Sequence, residues 1–380
     1  MRVLGLMALS SVLLGCATQG VSHTELPSYY MAADPQTRLS QYVAKEQPAD
    51  ESLSGFTLLY KGNDALAARL KLIDMADQSL DIQYYIFNTD ITGGLIAEHL
   101  LKAADRGVRV RILLDDIGSS LEDMKVAVVD QHPNVEVRLY NPLSLRNEWL
   151  KSLSTLGEFG RINYRMHNKL IVADNRALIT GGRNIGDEYF TLSDVDFQDV
   201  DVLGIGSIAD AASDSFDNFW NSGIAIPIAT LAKQSDAEAL ASMRATLGSR
   251  NLQLQHDPYL KAAARSPFIT DMSNGTLNWR WGHAEWFYDD PSKSDGDGNE
   301  TAFLGRRLLE KLRASRSELL LTSAYFVPLE TGEDMLLDIH SQGVSISVLT
   351  NSLATTDVLA VHSGYAKSRV SLLKGGLNIW

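Results

Sequence analysis

Cysteine is all but absent: Cys16 is the only one in 380 residues. No intramolecular disulfide can form, and no cysteine cage for a metal can be built. Positive charge is also scarce, with 34 Lys and Arg against 47 Asp and Glu and a formal net charge of −13. A chain that lives on a nucleic-acid backbone generally needs a basic face to neutralise phosphates, so nucleic acid is not an expected partner. The N-terminal apolar run, Val3 to Leu14, is too short to span a bilayer. What the chain does have is core-forming material: 45% of its residues are hydrophobic, and its length favours two lobes over one.

The start, "MRVLGLMALSSVLLGCATQG", places a basic Arg2, an uncharged apolar run and small residues around Gly15 and Cys16 in the order of a signal peptide. "LLGC" resembles a bacterial lipobox, in which Cys16 is diacylated and becomes the first mature residue. The plain alternative is an ordinary buried cysteine in a short helix. Position, flanks and the lack of other cysteines favour the lipobox. The expectation is therefore a lipid-anchored protein of the bacterial envelope, facing the periplasm and held to a membrane through Cys16. Ala17 after the cysteine resembles the outer-membrane form.

Beyond a polar segment with Pro27, Pro35 and Pro48, helix-like and strand-like stretches alternate. Leu66, Leu70, Ile73 and Ala76 stand at helical spacing, and "LDIQYYIF" is rich in β-branched and aromatic residues. A helix over about 94–105 ends at Arg106-Gly107 and leads into "VRVRILLDD"; "NVEVRLY" and "RMHNKLIVAD" supply further strands. The fold class expected is α/β, a mixed sheet flanked by helices. The same order returns late in the chain, with "ELLLTSAYFVP", "EDMLLDIHSQG" and "VSISVLTNS". Tyr84-Tyr85-Ile86 corresponds to Tyr325-Phe326-Val327, and Gly107-Val108 to Gly343-Val344, which reads as two homologous lobes. The divisions expected are a signal peptide at 1–15, a tether at 16–54, a first lobe at 55–224, a linking region at 225–300 and a partial second lobe at 301–380.

"HNKLIVAD" (167–174) concentrates the chemistry. In a strand, side chains two apart share a face, so His167 and Lys169 point together. An imidazole can attack phosphorus when a carboxylate holds its other nitrogen, and a lysine can neutralise the charge that develops on a phosphoryl oxygen. Downstream, "GGRN" (181–184) ends a second strand of the same hairpin; its glycines would let a phosphate approach the backbone, and Asn184 could donate to it. No metal or other cofactor is called for, since lysine and histidine supply the electrostatics. "DGDGNE" (295–300) lacks the later ligands of a calcium loop and reads as a solvated loop. Phe216 and Trp220 read as helix core. So does the group Trp279, Trp281 and Trp286, against the alternative of a membrane-facing surface.

"HNKLIVADNRALITGGRN" matches the H-x-K-x4-D-x6-G-[GS]-x-N signature of the phospholipase D superfamily at every fixed place. The wider chain resembles its bacterial cardiolipin synthase branch, the C-type synthases in particular, through "SLDIQYYIF", "GVRVRILLDDIGS", "DEYF", "FQDVDVLGIGSIADAASDSFDNFWNS", "DDPSK" and "VLTNSLATTDVLAVHSGYAKSR". The resemblance implies a phospholipase D-like fold and phosphodiester exchange on phospholipids. His167 would be the nucleophile that forms a phosphohistidine, with Lys169 and Asn184 gripping phosphate oxygens. Asp174 would be more structural than chemical. Asp199 stands where the family often keeps the carboxylate that orients the imidazole; Asp201 is a near neighbour that sequence does not separate from it.

Gly107 precedes His167 by 60 residues, and the same interval from Gly343 runs past Trp380, so a second motif is not found and an incomplete, poorly active second lobe is expected. Two other readings stand beside the phosphatidyltransferase. One is a single-motif nuclease that assembles its site as a homodimer, against which the acidic charge counts. The other is a catalytically silent, lipid-anchored phospholipid-binding protein.

Overall fold

The computed structural model describes residues 27–118, 123–143, 165–194, 196–232, 237–292, 304–356 and 358–380. Cys16 and the whole of "DGDGNE" lie outside them. The chain divides into two compact units, Met1–Trp286 with Asp290–Asp297, and Phe287–Asp289 with Gly298–Trp380.

The first unit is built on strands β1 (Ser54–Leu59), β2 (Ser79–Tyr84), β3 (Arg109–Asp115), β4 (Val135–Tyr140), β5 (Lys169–Ala173), β6 (Ala177–Gly181), β7 (Asp201–Gly206), β8 (Ala225–Pro227) and β9 (Arg280–Gly282). They form one mixed sheet in the order β8-β4-β3-β2-β5-β6-β7-β1-β9. Only β2, β3 and β4 are parallel to one another, linked by helices α3 (Ile91–Asp105) and α4 (Asp123–Val129); the remaining pairs are antiparallel. Parallel neighbours need such crossovers, and this is why helix and strand alternate in the sequence just here. Helix α2 (Gly62–Met75), before β2, buries Leu66, Leu72 and Ile73.

The central strands are buried on both faces. Leu80 and Ile82 of β2 join Val110, Ile112 and Leu114 of β3 in the main apolar core. Asp81 and Arg111, on the other face, are cross-strand partners that pair at 2.7 Å. Arg111 also reaches Asp217 at 2.7 Å, on helix α5 (Ile208–Trp220), and its guanidinium lies 4.8 Å from the centre of the Phe216 ring. A buried charge survives only when it is paired, and here two carboxylates and an aromatic face surround it. Phe216 and Trp220 are fully buried helix core.

Two expectations about boundaries change. The segment before β1 is more than a tether: α1 (Arg38–Glu46), capped by the Thr37 side chain, buries Leu39 and Val43 in the core. Ahead of it, the Ser28 and Tyr30 amides donate to Asn221 and Asp217. The expected linking region is also largely part of the first unit. β8 extends the sheet beside β4 and β9 extends it beside β1. α6 (Ile228–Leu231), α7 (Ala237–Leu254), α8 (Pro258–Ala264) and α9 (Pro267–Asn274) pack on the helices and strands of the same unit. Three-residue strands are too short to show a periodicity, which is why the sequence of this region looks irregular. Trp279 is buried next to the half-buried Trp281 in that core.

The second unit holds α10 (Leu304–Arg313) and three parallel strands, β10 (Glu318–Thr322), β11 (Ser345–Leu349) and β12 (Asn378–Ile379), joined by α11 (Leu329–Ser341) and α12 (Leu359–Lys374). This repeats the β2-α3-β3-α4-β4 order of the first unit. Gly107 and Gly343, each ending the first crossover helix of its unit, share a left-handed backbone, φ 96° and 93°. Only glycine adopts this without a steric penalty.

Candidate active site

His167 lies just ahead of β5, in extended backbone that continues the sheet: the carbonyl of Asn168 accepts the Tyr85 amide at 3.1 Å. The two-residue spacing places His167 and Lys169 together as expected. The Lys169 Nζ is 3.1 Å from His167 Nδ1 and donates to the His167 carbonyl at 2.9 Å. Tyr85 closes the group. Its ring stands 4.6 Å from the imidazole, centre to centre, and 5.4 Å from Nζ. The sequence marked Tyr85 only as part of an aromatic strand; in the fold it is the wall against which both reactive side chains rest.

A clamp holds the approach to His167. Asp115, at the end of β3 and fully buried, accepts from Arg165 Nη2 at 2.7 Å and from the Met166 amide at 3.1 Å. Its second role is to cap the Ile117 and Gly118 amides. Neither Asp115 nor Arg165 was singled out from sequence. The carboxylate at the end of "ILLDD" is the signal that was available, since a charge on a doubly buried strand requires a partner.

Burial and the neighbouring Lys169 charge lower the His167 pKa to about 4. His167 is nevertheless exposed as a residue, so solvent moderates the depression without reversing it, and a ligand can reach the side chain. Burial also lowers the Lys169 pKa to about 8, against the opposing charges of Asp199, Asp115 and Asp201. At neutral pH the pair is thus an uncharged imidazole beside an ammonium, the protonation states a phosphorus-directed nucleophile and its electrostatic partner need.

The remaining predicted residues are separated by the fold. Asp174 sits at the far end of β5 from His167, roughly 20 Å away along the strand. It is fully buried, in a left-handed turn with Asn175, and accepts from the amides of Asp77, Gln78 and Ser79 at 3.0, 2.8 and 2.9 Å. Its chemistry is structural: it ties the β5–β6 hairpin to the start of β2. Asn184 is buried and spans the site's rim, with Oδ1 accepting from the Ile86 amide at 3.1 Å and Nδ2 donating to the Tyr189 hydroxyl at 2.8 Å.

The two carboxylates that sequence could not separate are distinguished by the fold. Asp201 is fully buried and pairs with Arg69 at 2.8 Å and Arg183 at 3.5 Å. Asp199 is half-buried, accepts the Val200 amide, and acts electrostatically on Lys169 rather than on His167. The expected purpose of the two glycines changes as well. A Cβ on Gly182 would lie 1.9 Å from an Asp199 carboxylate oxygen, and one on Gly181 would lie 2.5 Å from the Asp201 Cα. The space they leave is occupied by residues 199–201, not held open for a phosphate.

Compared with known proteins, residues 70–220 match the family described as "Cardiolipin synthase, PLD-like domain". The chain is 38% identical over 327 residues to cardiolipin synthase C of Escherichia coli (strain K12), which takes in 86% of this chain and 68% of that protein. The chain belongs to the PLD-like cardiolipin synthase family. An uncharacterized protein of Helicobacter pylori (strain ATCC 700392 / 26695) is 33% identical over 363 residues, 95% of this chain and 72% of that one. Among solved structures, phosphatidylserine synthase of Haemophilus influenzae Rd KW20 aligns with a TM-score of 0.54 at 12% identity, over 90% of this chain and 76% of that one. That likeness is one of fold, and it agrees with the mixed sheet flanked by helices. The family's PLD-like domain contains His167, Lys169, Asp174, Asn184 and Asp199.

Proposed function

We propose that this cardiolipin synthase family member is a phosphatidyltransferase that acts on phospholipids through a phosphohistidine. The observation that carries the reading is the 3.1 Å contact between the exposed His167 and the buried Lys169, whose lowered pKa values leave the imidazole neutral and the lysine charged at neutral pH. A ring nitrogen of His167 attacks the lipid phosphorus, and the bond to the leaving alcohol breaks as that oxygen takes up a proton. Lys169 neutralises the charge gathered on a phosphoryl oxygen. The hydroxyl of a second lipid then attacks phosphorus and loses its proton, the P–N bond breaks, and a cardiolipin results. With water as acceptor the same steps give phosphatidic acid. Asn184, held between the Ile86 amide and the Tyr189 hydroxyl, has one further amide hydrogen that a phosphate oxygen would take up, and Asp199 sustains the charge on Lys169.

The test is turnover in mixed micelles of phosphatidylglycerol with a second glycerophospholipid, with products resolved by mass spectrometry. Cardiolipin should form, and His167→Ala should reduce the rate by at least about a thousandfold. Formation of phosphatidic acid alone would make the chain a hydrolase. Retained lipid binding with no product from the unaltered chain would favour the silent binding protein.

We also read Cys16 as the lipid anchor that keeps the enzyme at the envelope membrane, on the support of "LLGC" behind the apolar run. Labelled palmitate should enter the wild-type chain and fail to enter Cys16→Ser.

A further inference from the structure

The first unit contains a second feature that the transfer chemistry does not use. A cavity of about 530 Å³ opens between the sheet and helix α7, and its lining is overwhelmingly apolar. Ile112 and Leu114 of β3 and Val137 of β4 form its floor. Its roof is one face of α7: Ala239, Ser242, Met243, Thr246, Leu247 and Arg250 recur at helical spacing along it. A helix lying over a sheet normally fills this space with large side chains, yet none of the described residues of α7 is buried. Polar ties hold the roof instead, with Arg244 on Asp105 at 2.6 Å and Asn251 on Glu98.

One end of the cavity is close along the chain to the reactive histidine. Tyr85 rests on His167, and three residues later Asn88 lines the cavity. That distance is about 10 Å of extended chain. The segment is fixed against the rim of the site, since the Ile86 amide donates to Asn184, the Ile185 amide to the Ile86 carbonyl and the Asn88 amide to the Ile185 carbonyl. Arg250 stands at the mouth, with Nη1 3.4 Å from the Thr89 carbonyl; Arg250 and Lys125 are the cations of the lining.

We propose that this cavity receives an acyl chain of the phospholipid whose phosphate reacts at His167, with Arg250 meeting the polar glycerol end at the mouth. The assignment rests on the phosphatidyltransferase reading. Its volume falls in the range of small-molecule sites, its walls suit hydrocarbon, and the cations suit the anionic end of such a lipid. Within a PLD-like site built from short polar contacts, this is the element that distinguishes a lipid phosphodiester from a soluble one.

A phospholipid carrying a diazirine on one acyl chain tests the inference with the full chain as His167→Ala, so that binding is read without turnover. Crosslinks mapped by mass spectrometry should fall in residues 239–250 and 87–100, and dipalmitoyl phosphatidylglycerol should displace them. In otherwise unaltered enzyme, Thr246→Trp, which points a large ring into the cavity from an exposed helix position, should raise KM for dipalmitoyl lipid about tenfold and leave dihexanoyl lipid unchanged. Ser242→Trp provides a second variant should the first fail to fold. Labelling confined to exposed leucines, displacement by free palmitate alone, or equal effects on both chain lengths would overturn the assignment while leaving the transfer reaction intact. Crosslinks in the cavity without turnover by the unaltered enzyme would sustain the pocket and remove the proposed function.

Discussion

Lys169 Nζ lies 3.1 Å from His167 Nδ1, which leaves Nε2 as the ring nitrogen that the lysine does not occupy. An ammonium only donates, so in the resting enzyme the neutral imidazole accepts at Nδ1 and carries its proton on Nε2. A phosphate that draws the lysine onto its own oxygens would release Nδ1 and free the ring to change tautomer. At neutral pH, ¹⁵N chemical shifts of His167 should report the Nε2–H tautomer, moving toward Nδ1–H when a phosphate analogue binds. A resting Nδ1–H form would remove this role for the contact.

The same pair sets the pH dependence. His167 has its pKa depressed to about 4, so it remains a neutral nucleophile well below the ordinary histidine range. Lys169 loses its charge as pH rises through about 8. kcat/KM should therefore hold a plateau across the neutral range, fall on the acid side as pH drops toward about 4 and fall again near pH 8. An acid limb at pH 6.5 or above would mean that the imidazole is not desolvated in the free enzyme.

Asp199 and Asp201 should behave differently. Asp199→Asn removes a charge that supports the Lys169 ammonium, so the alkaline limb should move to lower pH with the acid limb unmoved. A shift of the acid limb instead would show that Asp199 acts through His167. Asp201→Asn leaves Arg69 and Arg183 with one carboxylate fewer in a closed site and should cost about 3–5 kcal/mol in urea unfolding.

Asp174→Ala strands three amides, that of Ser79 buried, and should destabilise the first unit by about 2–4 kcal/mol. In the molecules that remain folded, kcat should be nearly unchanged. A large loss of kcat with unaltered unfolding would contradict the structural role.

Tyr85→Phe keeps the ring against His167 and Lys169 and should be close to wild type. Tyr85→Ala opens both to water, so activity should fall about tenfold or more and the acid limb should rise toward the ordinary histidine value. Equal loss in both variants would assign the effect to the hydroxyl.

Much of this was legible in sequence wherever a residue answers to its near neighbours. The β5–β6 hairpin, the shared side of His167 and Lys169 and the paired turns at Gly107 and Gly343 all follow from local spacing. What escaped depends on partners far along the chain. Asp115 and Arg165 are 50 residues apart and form one clamp. β8 and β9 are three-residue strands that acquire meaning only beside β4 and β1. The glycines of "GGRN" looked like a phosphate cradle because the segment that fills their space, residues 199–201, comes from another strand.

The four residues between Lys169 and Asp174, Leu170 to Ala173, are the interior of β5 and are buried throughout. The interval in the motif is therefore a ruler. A single inserted residue would turn either the lysine or the aspartate to the opposite face of the sheet, so the signature measures the length of a strand with a reactive end and an anchored end. Its aspartate can persist in a chain that has lost its chemistry, because anchoring alone requires it. Its histidine has no such second reason to remain, and that makes it the informative letter of the three.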